Sequence, residues 1–180
     1  MLKNIIARAL RALWPIFCVA CGQEGEWWCR QCRLKIPPVP LHFCEQCKAK
    51  TKALVACTNC PGAPLGGATA YFTYAADSPV GKLIQNYKYH FARSIRDTWK
   101  NIFSDLNVPG WPTAVIIPVP LFARRLRWRG FNQAEDIARI LGAKLKLPVV
   151  TRQLTRVRAT RQQAVLNRSE RLKNVANAFL

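Results

Sequence analysis

Four Cys-x-x-Cys pairs lie between positions 18 and 60: Cys18/Cys21, Cys29/Cys32, Cys44/Cys47 and Cys57/Cys60. The chain has no other cysteine. Two intervening residues allow both sulfurs of a pair to reach one tetrahedral ion at about 2.3 Å. Two pairs complete a site, so four pairs make two. The gaps between successive pairs are 7, 11 and 9 residues, short enough for adjacent pairs to close small ribbons. This assigns Cys18, Cys21, Cys29 and Cys32 to one zinc, and Cys44, Cys47, Cys57 and Cys60 to a second. Spacing alone leaves an interleaved arrangement open, with the first pair joined to the third. Four sulfurs per ion leave no free coordination position, so both sites are expected to be structural.

Other uses of eight cysteines fit less well. A disulfide scaffold usually accompanies a secretory signal, which the start of the chain does not provide. A redox Cys-x-x-Cys is normally a single pair at a helix start near a βαβ pattern. His42 precedes Cys44 by two positions, but eight cysteines already fill two sites and the histidine reads as a surface or packing residue. Trp27 and Trp28 could form a stacking platform for bases, while a module this small also needs an aromatic cover for its metal.

Leu2, Ile5, Ile6, Leu10 and Leu13 recur at helical spacing with Lys3, Arg8 and Arg11 between them. Residues 1–17 are therefore expected to be an amphipathic helix packed on the protein's own body, with a membrane surface as the alternative. No apolar run approaches the roughly 20 residues of a membrane span, and a cytoplasmic location is expected.

The formal charge of +19 is unevenly placed. Residues 121–180 carry fourteen basic and three acidic side chains, against nine and three in residues 1–60. A surplus of eleven cations in one third of the chain calls for a polyanionic ligand.

After the cysteines, Pro61, Gly62, Pro64, Gly66 and Gly67 make a breaker-rich linker over 61–67. A second domain, 68–180, follows. Ala68–Ala75 reads as a strand. Ser78 and Pro79 suit an N-cap and first helical position before the stripe Val80, Leu83, Ile84, Tyr87 and Phe91. A second helix carries Ile95, Trp99, Ile102, Phe103 and Leu106, and Pro109-Gly110-Trp111-Pro112 ends it. Ala114–Val119 is a continuous apolar run of the kind found in buried parallel strands. A basic loop from Leu121 to Gly130 leads to a helix beginning at Asn132, with Glu135 three residues on in capping-box position. Leu147–Val150 is the next strand. The order is that of a βαβ unit, which places ligands where loops leave the strand ends. The fold class is therefore α/β.

Arg124, Arg125, Arg127 and Arg129 surround the start of that helix, whose free N–H groups and dipole suit phosphate. Taken alone, this could also be a solvated basic loop. The segment Thr155-Arg156-Val157-Arg158-Ala159-Thr160-Arg161-Gln162-Gln163 has no apolar period and reads as a mobile polar loop.

In combination these segments resemble a known family. Ile117-Pro118-Val119-Pro120, Arg129-Gly130-Phe131-Asn132-Gln133, Arg156-x-Arg158-x-Thr160-x-x-Gln163-x-x-Leu166 and Arg171-x-x-Asn174-x-x-Asn177-Ala178-Phe179 are similar to the ComF family of competence-linked, phosphoribosyltransferase-like proteins. The four cysteine pairs and Tyr87-Lys88-Tyr89 suit its amino-terminal zinc region.

The resemblance implies a double zinc ribbon followed by a type I phosphoribosyltransferase-like domain with a parallel sheet, binding phosphoribosyl pyrophosphate (PRPP) with magnesium. Carried over by position, the phosphate-binding residues would be Arg124, Arg125, Arg127, Arg129, Gly130, Asn132, Arg156, Arg158, Thr160 and Gln163. Arg171 and Asn174 would anchor the return of the second loop.

In the family, the Asn-Ala-Phe segment leads to another strand, an acidic pair and Thr-Thr-Gly, which grip the ribose and its 5′-phosphate. These 180 residues end before that loop, and Glu135-Asp136 lies in a helix turn and cannot replace it. The domain is therefore read as incomplete, and catalysis by these residues alone is not expected. No catalytic residue is assigned. The resemblance also implies competence and DNA-uptake partners, and the basic last third of the chain is expected to bind single-stranded DNA. The competing reading is a non-enzymatic zinc protein that binds single-stranded nucleic acid through Arg124–Arg129, Arg156–Arg161 and exposed tryptophans.

Overall fold

A computed structural model of the chain describes residues 13–39, 41–51, 57–62, 65–104 and 113–180. The helix expected over residues 1–17 falls mostly outside this set, as do Pro64, Leu106 and the helix stop at 109–112. Two compact units divide between Ile84 and Gln85.

The first unit is built from tight turns with little regular structure. Helix α1 (Arg30–Leu34) starts at Cys29, and strands β1 (Leu41–Phe43) and β2 (Ala68–Ala70) pair antiparallel, with Leu41 opposite Ala70 and Phe43 opposite Ala68. The strand expected over Ala68–Ala75 therefore stops at Ala70. Trp28 is 1% exposed and packs on Phe72 with ring centroids 5.9 Å apart. This rules it out as a stacking platform for bases.

Helix α2 (Pro79–Tyr89) crosses the division. Its start is the expected one: the Gly81 N–H donates to Ser78 Oγ at 3.1 Å, with Pro79 in the first turn. Gly81 is required by close approach, because a Cβ there would lie 2.0 Å from the Ala75 carbonyl oxygen.

In the second unit, helix α3 (Ile95–Ser104) packs against helix α5 (Gln133–Leu145), with helix α4 (Ala123–Arg129) preceding α5. Ile95, Trp99, Ile102 and Phe103 bury one face of α3, at the spacing the sequence shows. Lys144 Nζ donates to the Phe103 and Ser104 carbonyls at 2.7 and 2.8 Å, satisfying the last turn of α3. Gly142 allows the chain to fold back after α5, since a Cβ there would meet Val149 Cγ2 at 2.5 Å.

The run 114–119 is not a fully buried strand. Ile116 and Val149 form a single parallel bridge, in which the Ile116 N–H donates to the Pro148 carbonyl and the Val150 N–H to the Ile116 carbonyl, both at 2.9 Å. Val115, Ile117 and Val119 are exposed. Pro118 and Pro120 supply no N–H, so the ladder cannot extend past Ile117 on that edge. The strand–helix–strand order survives in reduced form, with α4 and α5 between two parallel-bridged segments. The only named sheet among the described residues is the β1–β2 pair.

After Val150, the chain runs through a short 3-10 turn (Gln163–Val165) into helix α6 (Arg168–Val175), which is started by a capping box between Asn167 and Glu170. Arg156 and Phe179 form an antiparallel bridge that ties the segment's two ends together.

Candidate functional site

The cysteines form two groups of four, Cys18/Cys21/Cys29/Cys32 and Cys44/Cys47/Cys57/Cys60, with all ligand atoms of a group within 4.8 Å of one another. Adjacent pairs therefore close together, and the interleaved arrangement is not the one adopted. The Cys21–Cys29 and Cys47–Cys57 sulfurs are 3.8 and 3.7 Å apart. Two sulfurs on one tetrahedral ion at about 2.3 Å lie about 3.8 Å apart, whereas a disulfide would bring them to about 2.05 Å. The donor sets fit zinc.

The backbone supports the same conclusion. The Cys29 N–H points at Cys18 Sγ at 3.4 Å. Burial pushes the Cys18 thiol up, but the N–H groups of Cys29, Cys21 and Ala20 outweigh it and bring the pKa down to about 6. In the second group, the Cys47 N–H holds Cys44 at about 7. Cys32 and Cys60 are pushed up to about 12, chiefly by contact with the sulfurs of Cys21 and Cys47. In each group the backbone N–H groups thus favour a thiolate, the form that binds a metal ion. His42 belongs to neither group. Its Nδ1 hydrogen-bonds to Thr69 Oγ1 at 2.8 Å across the β1–β2 pair.

The second unit contains a cleft of about 720 Å³ that gathers Arg124, Arg125, Arg129, Asn132, Arg156, Thr160 and Gln163. These residues come from both basic segments, which are about thirty positions apart in the chain. Arg127, Gly130 and Arg158 do not line it. The expected basic loop is in fact the helix α4, because Ala123–Arg129 is a run of good helix formers closed by Gly130 at φ +79°. Gly130 is therefore a helix cap. Arg158 Nη2 donates to the Asn174 and Ala176 carbonyls at 3.1 and 2.6 Å, and so fastens the end of α6.

Asn132 caps α5 by accepting from the Ala134 N–H at 3.1 Å and donating to the Val119 carbonyl at 3.1 Å. Glu135 does not complete a capping box. It pairs with Arg139 at 2.6 Å. Arg171 and Asn174 do anchor the second segment: Arg171 Nε donates to the Gln163 and Leu166 carbonyls, and Asn174 exchanges two bonds with the Arg161 backbone.

Two guanidinium groups in the cleft stand out. Arg129 is 7% exposed, donates from Nη1 to Gln133 Oε1 at 2.7 Å and lies over the Tyr89 ring. Arg156 donates from Nη2 to Thr160 Oγ1 and lies over the Phe179 ring. The Nε atom of each is buried without a hydrogen-bond partner among the described residues. Burial lowers the pKa of both, and the Arg125 charge adds to it. An anion in the cleft would reverse both effects. Lys88 opens into the same cleft, where the surrounding protein and the Arg129 charge lower its pKa. Basic counting had passed over Lys88, whose only sequence signal was the Tyr87-Lys88-Tyr89 motif.

Sequence reasoning also missed the support beneath the cleft. The Tyr87 hydroxyl donates to Asp136 Oδ2 at 2.8 Å, and Arg93 and Arg96 flank that carboxylate at 3.5 and 3.9 Å. Gln133 Nε2 donates to the Tyr87 carbonyl at 3.2 Å. Through Gln133, this buried network fixes the position of Arg129. Asp136 is thus a structural carboxylate.

The chain is 27% identical to Competence protein F of Haemophilus influenzae, an alignment that spans 84% of this chain and 75% of that protein. The two tetracysteine groups agree with the double zinc ribbon expected from the resemblance. Both findings agree with the resemblance to the ComF family. No protein-family model matches the chain, and no solved structure matches it significantly. Among its described residues, no helix is long and apolar enough to cross a membrane.

Proposed function

We propose that the chain is a ComF-family, competence-associated, phosphoribosyltransferase-like protein. Its second unit binds a polyphosphorylated ligand of the PRPP type, and its first unit is held by two structural zinc ions. The observation that carries the phosphate site is the pair of guanidinium groups of Arg129 and Arg156, which line one cleft from separate segments and each keep a buried Nε without a partner among the described residues. Such groups are costly to leave unsatisfied, and a phosphate oxygen satisfies them with charge-assisted bonds. Arg125 and Thr160 complete the wall, where Arg125 Nη2 donates to the Thr160 carbonyl at 3.3 Å. Magnesium, when bound with the ligand, supplies charge neutralisation at the pyrophosphate. The arginines hold and orient the phosphates. The type I phosphoribosyltransferase-like fold is supported by the parallel Ile116–Val149 bridge across α4 and α5. The competence association rests on the name of the relative.

Calorimetric titration with pyrophosphate and magnesium tests the site. Arg156→Met is expected to weaken binding at least about tenfold, or about 1.4 kcal/mol. Unchanged affinity would remove Arg156 from the site.

Single-stranded DNA is a second ligand for the same surface. It is favoured by Arg124, Arg127 and Arg161, which all stand exposed around the cleft's two basic segments. Exposed cations of this kind exchange counterions for backbone phosphates without reading sequence.

A further inference from the structure

Trp28 is buried and cannot stack on bases, whereas the second unit carries an exposed aromatic pair. Phe91 and Trp128 form an edge-to-face pair with ring centroids 4.9 Å apart, and they are 52% and 55% exposed. Exposed aromatic pairs are uncommon because each ring could bury a large apolar area. Phe91 is also held at φ +54°, a left-handed conformation that is costly for a residue with a large side chain. The Arg93 N–H donates to the Phe91 carbonyl at 2.8 Å, closing a tight turn about Ala92 directly after it. Strain that places an apolar ring in solvent calls for a use of that ring.

The surroundings identify the occupant. Trp128 lines the rim of the cationic cleft. Arg124 and Arg125 precede it by four and three positions on α4, so they lie one helical turn away on its own side. Arg93 follows Phe91 by two residues and lies over the Phe131 ring. An apolar peptide would have to desolvate these guanidiniums, whereas a single strand offers phosphates to them and a base face to the rings. In a duplex the base faces are already stacked inside.

We infer that Phe91 and Trp128 form a base-stacking platform for single-stranded nucleic acid at the rim of the cleft, a site that rests on the single-strand reading above. The strand's phosphates lie along Arg124 and Arg125, and one base stacks on the exposed ring of Trp128, backed by Phe91.

The test compares a labelled oligothymidylate with an abasic strand of the same length, using anisotropy on the zinc-loaded full chain at low salt. The wild type is expected to prefer the thymidylate strand by about tenfold, the scale of one stacked base. In Trp128→Ala and Phe91→Ala this preference falls below about threefold, while Trp128→Phe restores most of it. Arg124→Gln weakens both strands alike and leaves the preference intact. Binding of both strands without discrimination, or discrimination that survives Trp128→Ala, overturns the platform and leaves the phosphate contacts standing. Failure of both strands to bind overturns the single-strand reading itself. Capture of an apolar peptide by the pair, with no effect of either alanine on DNA, assigns the surface to a protein partner and also overturns the platform.

Discussion

Gly22 and Lys48 occupy the same left-handed position in two copies of one turn, at φ +76° and +61°. Each follows the second cysteine of its pair, and each N–H returns to the carbonyl of the first cysteine, Cys18 at 2.9 Å and Cys44 at 3.0 Å. The repeat continues in the flanking bridges, Phe17 with Glu24 and Phe43 with Lys50. Only glycine adopts this conformation without strain. Gly22→Val is therefore expected to cost about 1–2 kcal/mol and Lys48→Gly to be neutral or stabilising, in urea titrations of the zinc-loaded protein. Equal losses in both variants would contradict the shared geometry.

The two metal groups should behave as separate units, because each is closed by adjacent pairs. Cys44→Ser is expected to reduce bound zinc from two to one per chain and to leave the Cys18 group loaded. Metal analysis together with chelator titration reads this directly. Loss of both ions from the single variant would show that the groups depend on each other.

Burial and the Asp136 carboxylate raise the Tyr87 pKa above its usual value near 10. The folded state therefore resists ionising this phenol. The resulting stability is present below about pH 10 and is lost as pH rises toward the folded value. Tyr87→Phe should flatten the alkaline limb of the stability–pH curve. At neutral pH it should cost about 1–3 kcal/mol, since Asp136 loses its 2.8 Å donor while remaining buried. An unaltered alkaline limb in the variant would show that Tyr87 ionises as an ordinary surface phenol.

Salt dependence separates the exposed arginines from the buried ones. Replacing Arg124, Arg125 and Arg127 together should flatten the log–log salt slope of single-strand binding by about 2, at roughly 0.7 per phosphate. Adding Arg129→Gln should change the slope little further, because the strand follows the more exposed arginines of α4 while Arg129 serves a small anion held within the cleft. A slope unaffected by the triple variant would make α4 a bystander.

How much of this was legible in the sequence differs by unit. Cysteine spacing gave the metal groups and their local pairing, because a tetrahedral ion constrains nearby chain tightly. The repeat was also visible, since Phe-Cys-x-x-Cys occurs at both 17–21 and 43–47, but it was overlooked beneath the cysteines. In the second unit, Ser78, Gly81 and the stripe of α3 marked helices correctly. Over Arg124–Arg129 the charge density suggests a loop and obscures a short, Gly-capped helix. The Tyr87–Asp136 bond joins residues 49 positions apart, and no local pattern announces such a contact. Arg158 illustrates the same limit: its residue type suggested phosphate, and only the fold shows it spent on carbonyls.

The most direct measurement of the cationic cleft is amide hydrogen exchange of the zinc-loaded chain with and without pyrophosphate and magnesium. Binding at the buried guanidiniums of Arg129 and Arg156 would slow exchange in the peptides covering 122–134 and 156–166, and leave 18–60 unchanged. Slowed exchange confined to the cysteine module, or no change in either cleft segment at saturating ligand, would contradict the phosphate site.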